Sequence, residues 1–202
     1  MTRIFQLIRH EPSSTCLNVG GPTTGFLDVA RYFGRKLIVL NIKRQDLVTG
    51  RRDHYGDLDC ELIESDATQL PFADRSVDCV LSVTLIEHLP RSQRPAFARE
   101  VVRVARKGLF ITAPNYWFPF EPHYKMPLFQ FIPEALKRGV VARTSIGSWP
   151  CGAYEPVSLP TTKELRRLFP GAHVEGLRWT LVPETLIVWH KEEGQGMMEG
   201  MN

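Results

Sequence analysis

The sequence predicts an α/β fold, namely a Rossmann-like, doubly wound sheet of seven mostly parallel strands with an antiparallel last strand. Short apolar runs alternate with helical patterns along the first half of the chain. These runs are almost continuously apolar, which is typical of strands that are buried on both faces of a parallel sheet. Two further apolar runs follow a last short helix, and they indicate the antiparallel addition.

Five strands and two helices are predicted in the first half of the chain. A helix over 26–34 has apolar residues at helical spacing. A helix over 93–106 places Phe97 and Val104 on one face, and Gly108 is expected to cap its end. The strands are TCLNV (15–19), KLIVLNI (36–42), CELIES (60–65), SVDCVLSV (76–83) and LFITA (109–113).

The pattern is less regular after the fifth strand. Residues 115–160 are rich in proline and aromatic residues, and they predict an insertion. The segment TTKELRRLF (161–169) then begins with a capping box, in which Thr161 precedes Glu164. This pattern predicts a short helix after the insertion.

The end of the chain predicts two strands and a tail. The strands are expected over 173–179 and 184–190. Residues 192–202 are polar and rich in glycine, and we expect them to be disordered. The sequence therefore predicts one domain over 1–191.

Composition limits the classes of function. The chain has 202 residues, 43% of them hydrophobic and 23% charged, and a net charge of +3. This charge is too small to indicate a nucleic-acid partner, and the basic cluster over 43–52 is interrupted and reads as a solvated loop. The four cysteines form no CxxC pair, so neither a disulfide framework nor a metal site is predicted. The first residues, MTRIFQLIRHEPSST, have no secretory apolar core, and a cytoplasmic protein is expected.

The loop CLNVGGPTTGF (16–26) follows the first strand, where an open parallel sheet binds its ligand. Gly20 and Gly21 allow the backbone to approach a ligand closely. A dinucleotide fingerprint requires G-x-G-x-x-G, but Pro22 stands at the second glycine position and has no N–H to offer a phosphate. The loop therefore disfavours a nicotinamide oxidoreductase and suits a cofactor without phosphates.

Four ordered stretches of the chain together resemble the class I S-adenosylmethionine-dependent methyltransferases, and most closely the branch called type 11. The resemblance runs from about residue 14 to 115, and weakly to 190. It implies S-adenosylmethionine as the cofactor and methyl transfer as the reaction. The stretches are CLNVGGPTTGF, VLNI, ESDATQLPFADRSVDCVLSV and LIEHLPRSQRPAFAREVVRVARKGLFITAPN.

The resemblance implies cofactor-binding roles for residues at the ends of the first three strands. The backbone of Gly20 and Gly21 would lie against the methionine end of the cofactor. Asn41 would take the ribose-diol position. Asp66 would accept a hydrogen bond from the adenine amino group, with Ala67 beside it.

Two positions depart from the family pattern. The family usually has an acid at the positions of Asn18 and Asn41, and the loss of two charges would weaken cofactor binding by roughly 30-fold. Ser82 and Val83, at the end of the fourth strand, would still line the floor under the sulfonium. These departures keep open a second interpretation, a non-catalytic binding module of the same fold with a weakened cofactor site.

Three residues are candidates for catalysis or acceptor binding. A hydroxyl or amine acceptor loses a proton when it is methylated, and a base assists this step. Glu121 and His123 lie in PNYWFPFEPHYKMPLF, which resembles an insertion of the same branch. His123 can also be a loop histidine packed on Trp117 or Tyr124. His88, which follows the fourth strand, can also be a polar contact that holds its loop.

The insertion has too many aromatic residues for a solvated loop. They are expected to pack as a small core, and the alternative is an apolar acceptor pocket or a contact with a membrane surface. Lys125, Lys137 and Arg138 permit such membrane docking. The sequence thus predicts a methyltransferase for a small-molecule, glycan or lipid-linked acceptor, without a nucleic-acid partner, and leaves the oligomeric state open. The aromatic residues are Tyr116, Trp117, Phe118, Phe120, Tyr124, Phe129 and Phe131.

Overall fold

The computed structural model describes residues 15–21, 36–42, 59–143, 154–177 and 182–191. The helices within these ranges are α1 (Arg94–Val104), α2 (Glu134–Arg143) and α3 (Thr162–Leu168), with a 3-10 turn at Phe129–Phe131. The strands are β1 (Thr15–Val19), β2 (Lys36–Asn41), β3 (Asp59–Glu64), β4 (Val77–Val83), β5 (Ala105–Pro114), β6 (Phe120–Glu121), β7 (Met126–Pro127), β8 (His173–Leu177) and β9 (Thr185–Lys191).

Seven strands form one sheet in the order β3-β2-β1-β4-β5-β9-β8. Strand β1 pairs in parallel with β2 and with β4, and β2 pairs in parallel with β3. The sheet is mostly parallel with one antiparallel strand, which confirms the predicted fold class. The direction of the strand order reverses between β1 and β4, and open α/β sheets bind ligands outside the carboxyl ends of the strands at such a point.

The central strands are almost entirely buried. Residues 37–40 of β2 and residues 77–82 of β4 are all buried, and so is β1 after its first residue. Burial on both faces explains why the apolar runs in the sequence are nearly continuous. Each fully buried Leu, Ile or Val side chain contributes roughly 1.5–3 kcal/mol relative to exposure.

Two cysteines that are distant in the sequence are neighbours in the sheet. Cys16 of β1 and Cys79 of β4 are partners in the parallel register, and both are buried thiols outside any disulfide. Burial raises the pKa of the Cys16 thiol, and its hydrogen bond with Cys79 raises it further. Both features keep the Cys16 thiol protonated and unreactive.

Helix α1 ends earlier than the sequence predicts, although its apolar face is buried as expected. Strand β5 follows at Ala105, so Gly108 lies buried inside this strand and not at a helix cap. The reason is a pair of ionic contacts with Asp78 of β4. Arg106 Nε donates to Asp78 Oδ1 at 3.1 Å, and Lys107 Nζ lies 3.2 Å from the same oxygen. These contacts extend β5 beyond its apolar residues.

The insertion contains more regular structure than the sequence predicts. Strands β6 and β7 form an antiparallel pair, and α2 follows them. The apolar pattern does not predict α2, because a large apolar residue such as Leu136 is exposed. Tyr124 and Phe129 form a small buried cluster with Val141, as expected for a small core, whereas Trp117 is exposed.

The last predicted elements agree closely with the structure. Thr161 caps α3, because its hydroxyl oxygen accepts a hydrogen bond from the Glu164 N–H at 3.2 Å. The predicted helix over 26–34, the loop residue Pro22 and the tail over 192–202 lie outside the described residues. In the parts of the chain that the structure describes, no helix has the length and apolarity needed to cross a membrane.

The contacts within the chain define two compact units. The first unit contains Met1–Ser82, Ala96–Phe110 and Trp189–Asn202, and the second contains Val83–Pro95 and Ile111–Val188. The predicted cofactor-binding residues belong to the first unit, and the predicted catalytic residues belong to the second. The single domain over 1–191 remains a prediction.

Candidate active site

The glycine turn of the first unit has a backbone that requires glycine. Gly20 follows β1 with φ at 91°, a left-handed conformation, and its N–H donates to the Leu40 carbonyl at 2.8 Å. A Cβ on Gly21 would lie 2.5 Å from Val39 Cγ1 and 3.0 Å from Asn18 Nδ2. Both of these neighbouring side chains are buried, so the turn fits against β1 and β2 only when position 21 has no side chain.

Asn41 at the end of β2 fixes this turn. Its side-chain Nδ2 donates to the Gly21 carbonyl, and its Oδ1 accepts from the Ile42 N–H at 2.7 Å. A carboxylate could not donate the first of these bonds. The amide therefore has a structural function at a position where the family usually has an acid.

Asp66 lies in a turn directly after β3 and is exposed. Its Oδ1 accepts hydrogen bonds from the backbone N–H and from the hydroxyl of Thr68, both at 2.7 Å. The described residues give no hydrogen bond to Asp66 Oδ2, so this oxygen is available to accept one from a ligand. Ala67 beside it is buried.

Ser82 is the last buried residue of β4, and its hydroxyl has no hydrogen-bond partner among the described residues. Buried hydroxyls nearly always have a partner, so this one requires an explanation. Ser82 directly follows Leu81, the register partner of Asn18 on β1. Its hydroxyl thus lies at the carboxyl end of the strand pair where the strand order reverses.

The second unit brings together the three predicted catalytic residues. His123 Nδ1 lies 2.7 Å from Glu121 Oε1, and the rings of His88 and His123 meet at 87° with centroids 5.2 Å apart. His123 Nε2 lies 3.8 Å from Oε1 of Glu87, the residue before His88. We call Glu87, His88, Glu121 and His123 the histidine–carboxylate cluster.

The β6–β7 pair fixes the position of Glu121 in this cluster. Glu121 is buried, and its Oε2 accepts from the Tyr124 N–H at 2.6 Å. The Tyr124 hydroxyl donates to the Glu155 carbonyl at 2.6 Å and accepts from the Glu155 N–H at 3.0 Å. Both Glu121 oxygens are thus occupied, and the His123 ring is held by a buried carboxylate.

Glu87 has an unusual environment for a carboxylate. Its side chain is buried, and neither oxygen has a hydrogen bond with another described residue. Burial raises the pKa of Glu87 to about 7, although the nearby charges of His123 and Arg94 favour the carboxylate. The backbone is well anchored, because the Glu87 carbonyl accepts from the Ser158 N–H at 2.9 Å.

The environments of the two histidines push their pKa values apart. Burial opposes the charge on His123, but the hydrogen bond with Glu121 and the charges of Glu121 and Glu87 outweigh it, so the pKa of His123 is raised. Burial, followed by the charge of His123, lowers the pKa of His88. His123 is therefore the more basic of the pair and the better candidate for a base.

A buried arginine supports the second unit, and the sequence analysis did not identify it. The Arg94 side chain is fully buried and donates to the Leu89 carbonyl, the Ser158 carbonyl and the Glu164 carboxylate. No local pattern distinguishes Arg94 from the exposed arginines that precede and follow it in the sequence. Only the fold shows that this residue joins three segments.

An open pocket of about 740 Å³ lies beside α3 in the second unit. Its volume is in the range of small-ligand sites, which is roughly 300–1,000 Å³. Trp117 contributes an aromatic ring, and the cationic residues of α3 favour an anionic group. The helical spacing of these cations was the signal that the sequence analysis missed. The lining residues are Trp117, Thr161, Thr162, Lys163, Arg166 and Arg167.

Comparisons with known proteins agree with the resemblance seen in the sequence. Residues 17–112 match the type 11 family model, described as a methyltransferase domain. An S-adenosylmethionine-dependent methyltransferase from Methanosarcina mazei is 17% identical, with a TM-score of 0.58 over 90% of this chain and 92% of the other. Another from Mesorhizobium loti is 9% identical, with a TM-score of 0.61 over 93% and 95% of the two chains.

A third similar structure is the small RNA methyltransferase HEN1. It is 17% identical, with a TM-score of 0.60 over 95% of this chain and 25% of that protein. At these identities the structures show a shared fold. Among curated proteins, none matches the chain.

The first unit fits the cofactor that this family implies, S-adenosylmethionine. The buried Ser82 hydroxyl needs a polar partner, and Asp66 Oδ2 is available to an amino group. The glycine turn follows β1, which lies between β3 and β4 in the strand order. Residues 17–112 thus match the type 11 methyltransferase-domain model, and the fold is the one shared with S-adenosylmethionine-dependent methyltransferases.

Proposed function

We propose that this protein transfers a methyl group from S-adenosylmethionine to a small-molecule, glycan or lipid-linked acceptor. When bound, the cofactor supplies a methyl group on a sulfonium and leaves as a neutral thioether. The protein mainly has to align the reactants and exclude water. In the first unit, the Gly20–Gly21 backbone and Ser82 would hold the methionine end, Asn18 and Asn41 would accept from its polar groups, and Asp66 would hold the adenine.

The observation that supports the catalytic proposal best is the 2.7 Å contact between Glu121 and His123. A carboxylate that accepts from Nδ1–H holds the neutral imidazole in one tautomer, with the lone pair on Nε2. We assign His123 as the base that takes the proton of a hydroxyl or amine acceptor. Glu121 and His88 are then positioning residues, since they contact the imidazole and not the reacting atoms.

The pocket beside α3 supports an acceptor with an anionic group. Lys163, Arg166 and Arg167 provide three cations, and Trp117 is 61% exposed and offers a flat apolar face. A sugar or lipid linked through a phosphate combines the negative charge and the apolar surface that this lining would recognise. The exposed aromatic residues of the insertion are also compatible with a membrane-borne acceptor.

Calorimetry with S-adenosylmethionine tests the cofactor site. An Asp66→Ala variant should bind about 10–150-fold more weakly, because it loses a hydrogen bond to a charged group. Asp66→Asn keeps the acceptor for the Thr68 turn and should show a smaller loss. Asp74→Ala removes an exposed carboxylate from the same loop and should bind as the parent does. Equal affinity in the parent and in Asp66→Ala would contradict the assignment.

Isotope-labelled methyl groups test the acceptor. Label from S-adenosylmethionine should appear in the lipid or small-metabolite fraction of a cell extract, and His123→Gln should lose this transfer while it keeps cofactor affinity. Because one protein of this fold is a small RNA methyltransferase, the RNA fraction is measured in parallel. Label that nuclease releases from RNA would contradict the proposed acceptor class.

The second candidate function is a non-catalytic binding module. Its support is the neutral pair Asn18 and Asn41, of which Asn41 already bonds the turn through both ends of its amide. This candidate predicts no binding of S-adenosylmethionine or of its demethylated product in the same calorimetry. Submillimolar binding of both would exclude it.

A further inference from the structure

We propose that Glu87, His88 and His123 bind a divalent first-row transition-metal ion. Each residue offers one ligand atom, and the three atoms all lie within 4.8 Å of one another. Two imidazole nitrogens and a carboxylate oxygen are a ligand set that suits Zn²⁺ and its neighbours better than Mg²⁺ or Ca²⁺. The inference concerns the histidine–carboxylate cluster alone, and it rests on the proposed function only for the role of the ion.

The ligand atoms of Glu87 and His123 have a spacing near that of a formed site, and the three-atom set would contract by about 1 Å around an ion. Zinc binds nitrogen and oxygen at about 2.0–2.2 Å, so two adjacent ligands lie roughly 3–3.5 Å apart. His123 Nε2 and Glu87 Oε1 are 3.8 Å apart, which is too long for a hydrogen bond between them. Small rotations of the two side chains would bring both atoms to one ion.

The carboxylate of Glu87 provides an independent observation. Only 1% of this residue is exposed, and both oxygens lack a hydrogen bond with another described residue. A buried carboxylate without partners is unfavourable, and proteins tolerate one mainly when it is paired or coordinates a metal. Its Oε1 faces the ring of His123, so an ion between them would supply the missing interaction.

Glu121 completes the arrangement from the other side of His123. Metal-binding histidines usually donate their second N–H to a carboxylate, which fixes the tautomer and makes the ring a better ligand. Glu121 Oε1 lies 2.7 Å from His123 Nδ1, and its other oxygen is held by the Tyr124 N–H. His123 therefore presents Nε2 towards Glu87 before any ion binds.

Three protein ligands leave coordination positions for another molecule, as in catalytic zinc sites. An acceptor hydroxyl bound there would lose its proton more readily, because the ion stabilises the oxyanion. The oxyanion would then form the bond to the methyl carbon as the carbon–sulfur bond breaks, and the proton would pass to solvent. His123 cannot both bind the ion through Nε2 and take a proton there. With the ion bound, the ion and not His123 would therefore promote loss of the acceptor proton.

The sequence predicted no metal site, because its four cysteines form no CxxC pair. Glu87 and His88 lie after β4, whereas His123 lies in the insertion, so no spacing motif joins them. Only the fold of the second unit brings the three side chains together.

The experiment measures metal binding without cofactor or acceptor. The chelator-treated chain is titrated with Zn²⁺ by calorimetry and with Co²⁺ by visible absorption spectroscopy. We expect one ion per chain, Co²⁺ bands without the near-ultraviolet thiolate transitions that cysteine ligands produce, and no competition from Mg²⁺. Spectra with thiolate transitions would overturn the assignment.

Variants identify the ligands. Glu121→Gln should weaken Zn²⁺ binding about 10–100-fold, as expected for a residue that orients a ligand. Glu87→Gln and His123→Gln should weaken it further, whereas His173→Gln, which removes an exposed histidine of β8, should bind as the parent does. Equal affinity in the parent and in Glu87→Gln would overturn the inference.

Stability measurements separate a lost ligand from a damaged fold. Glu87→Gln removes a buried charge that has no hydrogen bond with another described residue, so without metal it should melt at or above the temperature of the parent. Zn²⁺ should raise the melting temperature of the parent but not that of the variant. A metal-free variant that melts well below the parent would show that Glu87 has a structural partner instead. Failure of Zn²⁺ binding leaves the methyltransferase proposal intact, and failure to bind S-adenosylmethionine leaves the metal inference intact.

Discussion

The buried arginine of the second unit gives the sharpest prediction of stability. Replacing Arg94 by Met keeps an unbranched side chain but removes three donated hydrogen bonds, including the 2.6 Å bond to Glu164. The Arg94 side chain is 0% exposed and that of Glu164 is 26% exposed, so little water can compensate. Breaking a buried ion pair by removing one partner costs about 3–5 kcal/mol. At 2–4 °C per kcal/mol for a chain of this size, the melting temperature should fall by roughly 6–20 °C.

The assay is urea unfolding followed by circular dichroism, with thermal unfolding as a second measure. Lys36→Met is the control, because it removes a cation from the pair of Lys36 with Glu61, whose side chains are 44% and 49% exposed. That variant should lose less than about 1 kcal/mol. Adding Glu164→Gln to Arg94→Met should restore part of the loss, because the unpaired carboxylate is removed. A loss below about 1 kcal/mol in Arg94→Met would refute the argument.

Two further predictions concern the first unit. Gly21→Ala should cost about 1–3 kcal/mol in urea unfolding, because its Cβ meets the stiff Val39 side chain at 2.5 Å. Gly139→Ala is the matched control, because its Cβ meets only the end of the flexible Arg143 side chain, at 3.5 Å. This variant should gain roughly 0.5–1 kcal/mol of helix stability. An equal loss of stability in both variants would contradict the packing argument. Burial opposes the charge of Asp78, but hydrogen bonds from Thr15, Arg106 and Lys107 outweigh it and lower the pKa of Asp78. The ionised carboxylate therefore stabilises the fold above its unfolded pKa of about 3.9, and this stabilisation is lost as pH falls through the lower folded pKa. Asp78→Asn should therefore be less stable than the parent at pH 7, and pH-dependent unfolding should show the gap closing below about pH 4; a gap that stays constant into acid would count against this role.

The fold was predictable where burial is continuous along the sequence. Strands β1, β2 and β4 are apolar nearly throughout, and their predicted bounds differ from the observed ones by a residue at most. The end of α1 was predicted wrongly, because the choice between helix and strand at Arg106 depends on Asp78, which is distant in the sequence. Helix α2 was missed because Leu136 faces solvent and disrupts the amphipathic pattern.

The sequence predicted which residues belong to the candidate site, but it did not predict how their side chains are arranged in space. The motifs indicated His88, Glu121 and His123 separately, and the fold brings them to one cluster. Among the described residues, neither oxygen of Glu87 has a hydrogen bond with another residue, and this is a property of the packed interior that no local pattern encodes. The same is true of Asn41, whose bond to the Gly21 carbonyl gives a reason for an amide that the sequence showed only as a departure.

The buried thiols of Cys16 and Cys79 allow local opening of the sheet to be measured by chemical labelling. Alkylating reagents attack thiolates that solvent can reach, and both cysteines are buried side by side on neighbouring central strands. Their labelling in native protein should therefore be slow and should follow the rate at which β1 and β4 separate. A ligand that binds at the carboxyl ends of these strands would slow that labelling, so mass spectrometry of the two cysteines offers a way to detect occupancy without any assay of turnover.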